Sequence, residues 1–215
     1  MASRSDPSGK APLVIALPKG RLFEPTLRLL KRVGILFDAT EENRRLTFEL
    51  PDHRFRLMIL RAVDVPTYVE YGAADIGIVG KDQLLEQNRA VYEPLDLGFG
   101  GCRVVLAQLR EGFPDRLAKV RVATKYLNIT ERYFSQKGIP VEIVKLYGSI
   151  ELAPLVGLSD QIVDLSATGE TLRQHGLIIV EEIAQSTARL IVNRASLKIK
   201  HKEIKSFIRE LKEAL

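Results

Sequence analysis

Ile162-Val163-Asp164-Leu165-Ser166-Ala167-Thr168-Gly169-Glu170-Thr171-Leu172 reads as a buried strand that runs into a loop of small hydroxyl residues and glycine, after which a helix begins. Strand, loop and helix in that order form the unit from which α/β folds are built. Such a loop aims several backbone N–H groups at one point, and the helix N-terminus adds a positive partial charge. Gly169 lets the backbone come close to a ligand. Thr168 and Thr171 can donate hydroxyl hydrogens to phosphate oxygens. Asp164 stands at the loop rim, where a carboxylate accepts hydrogen bonds from sugar hydroxyls. The plainer alternative is an ordinary helix cap with Thr168 as the capping side chain. That reading explains one hydroxyl and leaves Asp164, Gly169 and Thr171 as coincidence.

Working outward, strand-length apolar runs alternate with helix-period segments. Leu13–Leu17 is a predicted strand and Leu22–Val33 a helix with Leu22, Leu29, Leu30 and Val33 apolar. Arg45–Leu50 and Phe55–Leu60 are strands joined by the turn residues Pro51-Asp52-His53. Asp64–Tyr71 is a helix with Asp64 as cap and Pro66 in the first turn. Ile76–Val79 is a short buried strand followed by a helix through Leu85, and Val91–Leu97 and Arg103–Leu109 are strands. The second stretch repeats the pattern. Val120–Ala123 is a strand, Ile129–Gln136 a helix closed by Gly138, Val141–Leu146 a strand and Ile150–Val156 a helix. After the Ile162–Ser166 strand come a short helix, Glu170–Gln174, and strands at Leu177–Glu182 and Arg189–Val192. Ile204, Phe207, Ile208, Leu211 and Leu215 share one face of a final amphipathic helix. The alternation predicts an α/β fold with mostly parallel sheets. Gly98, Gly100 and Gly101 mark a hinge between two lobes, and a dinucleotide fingerprint is absent there.

Two further groups of residues stand just past strand ends, where ligands bind in open α/β sheets. Lys19 and Arg21 flank Gly20 at the start of a helix, a place where cations are disfavoured unless an anion offsets them. Arg61, Lys81 and Asp82 also follow strands, while Arg44, Arg45, Asp64 and Asp75 lie near others. Each of these can also be ordinary surface charge. Arginine suits bidentate contact with phosphate.

Composition bounds the function. The chain has 215 residues, 46% hydrophobic and 27% charged, as in a soluble globular protein. No apolar run reaches the ~20 residues of a membrane helix, and Met1–Pro12 lacks the apolar stretch of an export signal. A single cysteine, Cys102, excludes an internal disulfide and reads as a buried strand residue, so a cytoplasmic setting is expected. The net charge of +5 favours anionic partners. His53, His175 and His201 have no metal-ligand or catalytic spacing.

Asp-x-x-x-Thr-Gly-x-Thr after a strand resembles the loop that binds phosphoribosyl pyrophosphate (PRPP) in the common phosphoribosyltransferases, although Val163 stands where those carry a second acid. The wider pattern resembles the ATP phosphoribosyltransferase family of histidine biosynthesis. Its signature runs here through Glu151, Gly157, Ser159, Ile162, Asp164, Thr168, Gly169, Thr171 and Leu172 with every spacing kept. Leu17–Arg21, Leu60–Val69, Gly72–Asp82 and Leu146–Pro154 are also similar to the family, so the resemblance covers about residues 13–194.

This resemblance implies two lobes like a periplasmic binding protein, with the active site in the interlobe cleft. The division expected is a disordered tail at 1–11, lobe I from 12–102 with 187–215, and lobe II from 103–186 carrying the PRPP loop. The implied activity is a glycosyltransferase reaction: N1 of ATP displaces pyrophosphate from C1′ of PRPP, the first step of histidine biosynthesis. PRPP would be held by Glu151, Asp164, Ser166, Ala167, Thr168, Gly169, Glu170 and Thr171, and ATP by Lys19, Gly20, Arg61, Lys81 and Asp82. Arg21 and Arg44 are the expected catalytic cations. Mg2+ would arrive with PRPP, near Glu151 or Asp164. After Val192 only about 20 residues remain, enough for one helix, so the chain resembles the short catalytic form. That form pairs with a regulatory subunit resembling a histidyl-tRNA synthetase, in a hetero-octamer. No nucleic-acid or membrane partner is expected.

Two other functions compete. A non-catalytic solute-binding module would share the architecture but would release no pyrophosphate from ATP and PRPP. A nucleic-acid-binding protein is suggested by the sequence pI of about 9.3. It would bind DNA or RNA with steep salt dependence, against which stand scattered basic residues and the lack of a reading motif.

Overall fold

The computed structural model describes residues 11–37, 46–51, 53–112 and 119–215. The expected tail at 1–11 falls, but for Ala11, outside them, as do Arg44, Arg45 and Asp52. In chain order the elements begin β1 (Leu13–Pro18), α1 (Phe23–Arg32), β2 (Thr47–Glu49), β3 (Phe55–Leu60), α2 (Val65–Glu70), β4 (Ile76–Gly80), α3 (Lys81–Gln87) and β5 (Tyr92–Asp96). They continue with β6 (Cys102–Leu109), β7 (Val120–Thr124), α4 (Leu127–Lys137), β8 (Val141–Lys145), a 3-10 turn (Ile150–Leu152), β9 (Gln161–Ser166) and α5 (Glu170–Gln174). The chain ends with β10 (Leu177–Ser186), β11 (Ala188–Val192), α6 (Arg194–Ile199) and α7 (His201–Glu213). Two compact units result: Met1–Leu84, Asn88–Gly100 and Thr187–Leu215 form one, and Leu85–Gln87 with Gly101–Ser186 form the other. Among the described residues no helix is long and apolar enough to cross a membrane.

The first unit holds a six-stranded sheet in the order β2-β3-β1-β4-β11-β5. β1 lies parallel to β3 and β4, and it reads Leu-Val-Ile-Ala-Leu-Pro because helices cover both its faces. Leu29 and Leu30 of α1 pack with Ile15, Leu57 and Leu190 on one face, joined by Ile204, Phe207 and Leu211 of α7. Phe207 meets Phe55 with ring centroids 5.4 Å apart. Fully burying such a side chain stabilises the fold by roughly 1.5–3 kcal/mol. On the other face α2 sits so close to β4 that a Cβ on Gly77 would stand 2.7 Å from Val69 and 2.8 Å from Val65. Asp75, only 5% exposed, ties the C-terminal helices to this sheet. It accepts bonds from the Val14 amide, the Ser196 hydroxyl and the Lys200 ammonium at 2.8, 2.6 and 2.7 Å. It is therefore a structural residue.

The second unit holds a five-stranded sheet in the order β10-β6-β9-β7-β8. β7 runs parallel to β8 and β9, and β6 runs antiparallel to β9 and β10. Tyr126, Ile129, Tyr133 and Phe134 cover one face, and Ile150, Ala153, Leu172 and Leu177 cover the other.

Several expectations are corrected. The sheets are mixed rather than mostly parallel, because β2, β6, β10 and β11 all pair antiparallel to their neighbours. The helix expected over Ile150–Val156 is only one 3-10 turn: Pro154 has no N–H to give the Ile150 carbonyl. Asp64 occupies the cap position of α2 but makes no side-chain cap bond. Leu215 lies past the end of α7 and is 51% exposed, so the apolar face ends at Leu211. β10 runs on to Ser186, with irregularities at Ile179/Glu181 and Glu182/Ala184 that break its alternation.

Candidate functional site: two strand edges

In both units the parallel strands share one topology. β1 is followed by β3 on one side and β4 on the other, and β7 by β8 on one side and β9 on the other. The chain thus reverses its winding direction at β1 and at β7. The C-terminal ends of such strands open a crevice that neighbouring connections leave uncovered, which is where α/β sheets bind ligands.

In the second unit that edge carries the loop after β9. Gly169 adopts φ +80°, ψ 0°, a left-handed conformation that side-chain-bearing residues rarely take, and it turns the chain into α5. The capping residue of α5 is therefore Gly169, not Thr168, and no side chain caps the helix. The Thr168 hydroxyl instead accepts a bond from the Glu170 amide at 3.3 Å. Ser166 and Gly169 are buried, while Ala167, Thr168, Glu170 and Thr171 are exposed. Residues 164–172 line a cavity of about 170 Å³ together with Glu151. This is smaller than the ~300–1,000 Å³ of pockets that enclose a drug-sized ligand, and it suits a phosphate with part of a sugar. Glu151 reaches this cavity because Ile150 and Ala153 on either side are buried against Ile162 and Leu172. The Glu170 carboxylate pairs with Arg173, so its own contribution to the cavity is a main-chain one.

In the first unit the edge is cationic. Gly20 at φ +87° turns the chain out of β1, with the Phe23 amide bonded to the Gly20 carbonyl at 2.9 Å and the Lys19 amide to the Leu60 carbonyl at 2.7 Å. Arg21 donates to the Gly100 carbonyl and lies 3.8 Å from the carboxylate of Asp82. Asp82 is only 3% exposed and also accepts from Gln83 at 2.9 Å. Lys81 pairs with Glu93 at 2.6 Å. Lys19 and Arg61 are exposed. β3, β1 and β4 are adjacent, so Arg61, Lys19, Arg21, Lys81 and Asp82 gather at one edge, with Arg21 and Asp82 in direct contact. Arg44 lies outside the described residues.

Lys125 was missed in the sequence. It follows β7 directly, and its ammonium lies 3.1 Å from Asp164 Oδ1. The rule that singled out Lys19 and Arg21, a cation just past the first strand of a β-α-β-α-β run, also applies to it. Among the described residues no group of three or more His, Cys, Asp or Glu could hold a metal ion.

Comparison with known proteins fits this geometry. Residues 61–213 match the family model "HisG: ATP phosphoribosyltransferase". The chain is 58% identical over 206 residues to the ATP phosphoribosyltransferase of Geobacter metallireducens, covering 94% of this chain and 97% of that one. It is 54% identical over 208 residues to that of Syntrophotalea carbinolica, covering 94% and 95%. Among solved structures, the ATP phosphoribosyl transferase (HisG:HisZ) complex from Thermotoga maritima matches with a TM-score of 0.83 and 38% identity, over 94% of this chain and 98% of that chain. The periplasmic aliphatic sulphonate binding protein SsuA from Escherichia coli matches with a TM-score of 0.60 at 15% identity, over 95% of this chain and 72% of that chain. It shares the fold alone. A single conclusion follows from the family match, the identities and the loop after β9: this chain belongs to the ATP phosphoribosyltransferase family.

Proposed function

We propose that the chain is a short-form catalytic subunit that joins ATP to PRPP in the cytoplasm, with the loop after β9 as the seat of the PRPP sugar phosphate. The observation that carries the loop assignment is the cavity bounded by Glu151 and residues 164–172, entered by the left-handed turn at Gly169. Main-chain amides and the Thr168 and Thr171 hydroxyls bind the 5′-phosphate, and Asp164 accepts from the ribose hydroxyls. Ser166, Ala167 and Glu170 shape the same turn. Lys19, Gly20, Arg61, Lys81 and Asp82 serve ATP, with Arg21 and Arg44 as the catalytic cations.

In the reaction the C1′–N1 bond forms as the C1′–O bond to pyrophosphate breaks, and the bonding pair leaves with the pyrophosphate. Adenine N1 is unprotonated at neutral pH, so the attack requires no strong base. The protein's work is to hold two polyanions in line and to neutralise charge on the departing group. The donor set suits a magnesium ion that comes in on PRPP. Asp164 and Glu151 line one cavity, Asp164 Oδ1 has the Lys125 ammonium beside it but no hydrogen bond, and Mg2+ usually keeps waters and substrate oxygens around one or two carboxylates. When bound, that ion neutralises the pyrophosphate.

The Thermotoga relative is a HisG:HisZ complex, and this chain spans 98% of the solved chain it matches. This supports a hetero-oligomer with a regulatory subunit resembling a histidyl-tRNA synthetase, a hetero-octamer in the expected assembly. The test is release of pyrophosphate from ATP and PRPP, measured with and without that subunit. Release that requires both substrates is expected. No release in any combination would overturn the proposal, and would leave the solute-binding alternative.

A further inference from the structure

We propose that Lys125 is a substrate-binding residue of the same loop site and takes the pyrophosphate of PRPP rather than its 5′-phosphate. The inference rests on the PRPP reading of that site and goes beyond it.

The position of Lys125 is fixed from both sides. Thr124 before it is fully buried, and its hydroxyl donates to the Val163 carbonyl of β9 at 2.7 Å. The same hydroxyl accepts from the Tyr126 amide at 2.8 Å, and Tyr126 is 1% exposed. The main-chain carbonyl of Thr124 accepts from Leu146 at 3.0 Å. Lys125 therefore projects from an anchored backbone at the end of the strand where the winding reverses. Register sets its neighbour: Thr124 faces Val163, which brings Lys125 beside Asp164.

The side chain has capacity left over. Its ammonium lies 3.1 Å from Asp164 Oδ1 and 5.1 Å from the Tyr126 ring centroid, and the side chain is 40% exposed. An ammonium has three donors, and one carboxylate oxygen occupies at most one of them well. Asp164 Oδ1 is buried yet has no hydrogen bond, so the contact is an ion pair without good donor geometry. The contact therefore leaves donors of the half-exposed ammonium open to a further anion. The arrangement fits a group that keeps Asp164 neutralised until a ligand arrives and then turns to an anion.

Ribose chemistry says which anion. Asp164 accepts from hydroxyls at C2′ and C3′, while the amides further along the loop hold the phosphate on C5′. C1′ adjoins C2′ at the other end of the ring. Lys125 touches Asp164 and does not line the loop cavity, which places it on the C1′ side, where the pyrophosphate is attached.

The experiment compares wild type, Lys125→Met and Lys125→Arg with three probes: PRPP in steady-state kinetics, and inorganic pyrophosphate and ribose 5-phosphate in calorimetric titrations. Lys125→Met is expected to raise KM for PRPP roughly tenfold and to weaken pyrophosphate similarly. Ribose 5-phosphate affinity and KM for ATP should stay within twofold, and Lys125→Arg should recover most of the loss. Equal weakening of ribose 5-phosphate and pyrophosphate would mean that Lys125 only positions Asp164, and would overturn the proposal. So would unchanged affinity for all three probes. A wild-type chain inert with its regulatory subunit would instead overturn the proposed function.

Discussion

In the first unit the strand at which the winding reverses, β1, runs into Lys19-Gly20-Arg21, and the neighbouring ends add Arg61 and Lys81 against one buried acid, Asp82. In the second unit the corresponding strand, β7, runs into a single cation, Lys125, already beside the acid Asp164. The loop there offers neutral donors instead: amides turned by Gly169 and the hydroxyls of Ser166, Thr168 and Thr171. On the proposed reading, one topology carries two kinds of anion site. The first would work mostly by charge, which suits a triphosphate. The second would work by geometry, which suits one phosphate held in register with a sugar.

The comparison breaks most visibly at Arg21. Removing a group that stabilises developing charge costs about 10²–10³-fold, so Arg21→Ala should lower kcat/KM on the order of 10²-fold. Steady-state rates within a few-fold of wild type would take Arg21 out of the mechanism. Gly169→Val comes next. Its φ of +80° is unfavourable for any side chain by roughly 1–2 kcal/mol, and worse for a β-branched one. PRPP should bind about tenfold or more weakly in a calorimetric titration, with ATP unchanged. A parallel loss of both ligands would place the loop in general stability rather than in one site.

Smaller effects sharpen the distinction. Thr168→Ala and Thr171→Ala each remove one hydroxyl, worth about 1 kcal/mol. Each should weaken PRPP about fivefold and leave ATP alone, and equal weakening of both would argue against the loop assignment. The smallest effect concerns pH and separates the units without touching either site. Glu70, in the first unit, is held below the usual carboxylate range by the Ala90 amide first and the Arg89 guanidinium second. Glu181, in the second, is held below it by Lys137 and then by the Tyr133 hydroxyl. A depressed folded-state value stabilises above the unfolded value and loses that stability as pH falls through the folded one. Melting temperature should therefore decline below about pH 4.5. Glu181→Gln should flatten part of that decline, and an unchanged profile would show that the contact contributes nothing.

Much of this was legible in the residues. β1, β4 and β9 are short apolar runs that end at or close to a glycine or hydroxyl residue, and Gly138 does close α4 in the left-handed conformation at φ +68°. Strand direction was not legible. An antiparallel strand such as β6 reads like a parallel one when it is buried on both faces, and its partners β9 and β10 are set by long-range register. Pro154 gave a local signal against a helix that the apolar spacing of its neighbours overrode. Lys125 stands just past its strand, as Lys19 and Arg21 do past theirs, but its pairing with an acid leaves no local mark. Only the facing of Thr124 and Val163 across two strands makes it a neighbour of Asp164. The loop itself stood out because glycine, threonine and aspartate each have a separate reason to be there.

The most direct test of this account is a crystal structure with PRPP bound. It predicts the 5′-phosphate within hydrogen-bond reach of the main-chain amides of residues 167–171 and of the Thr168 and Thr171 hydroxyls. A 5′-phosphate seated instead on Lys19 and Arg21, with the loop after β9 empty, would contradict it.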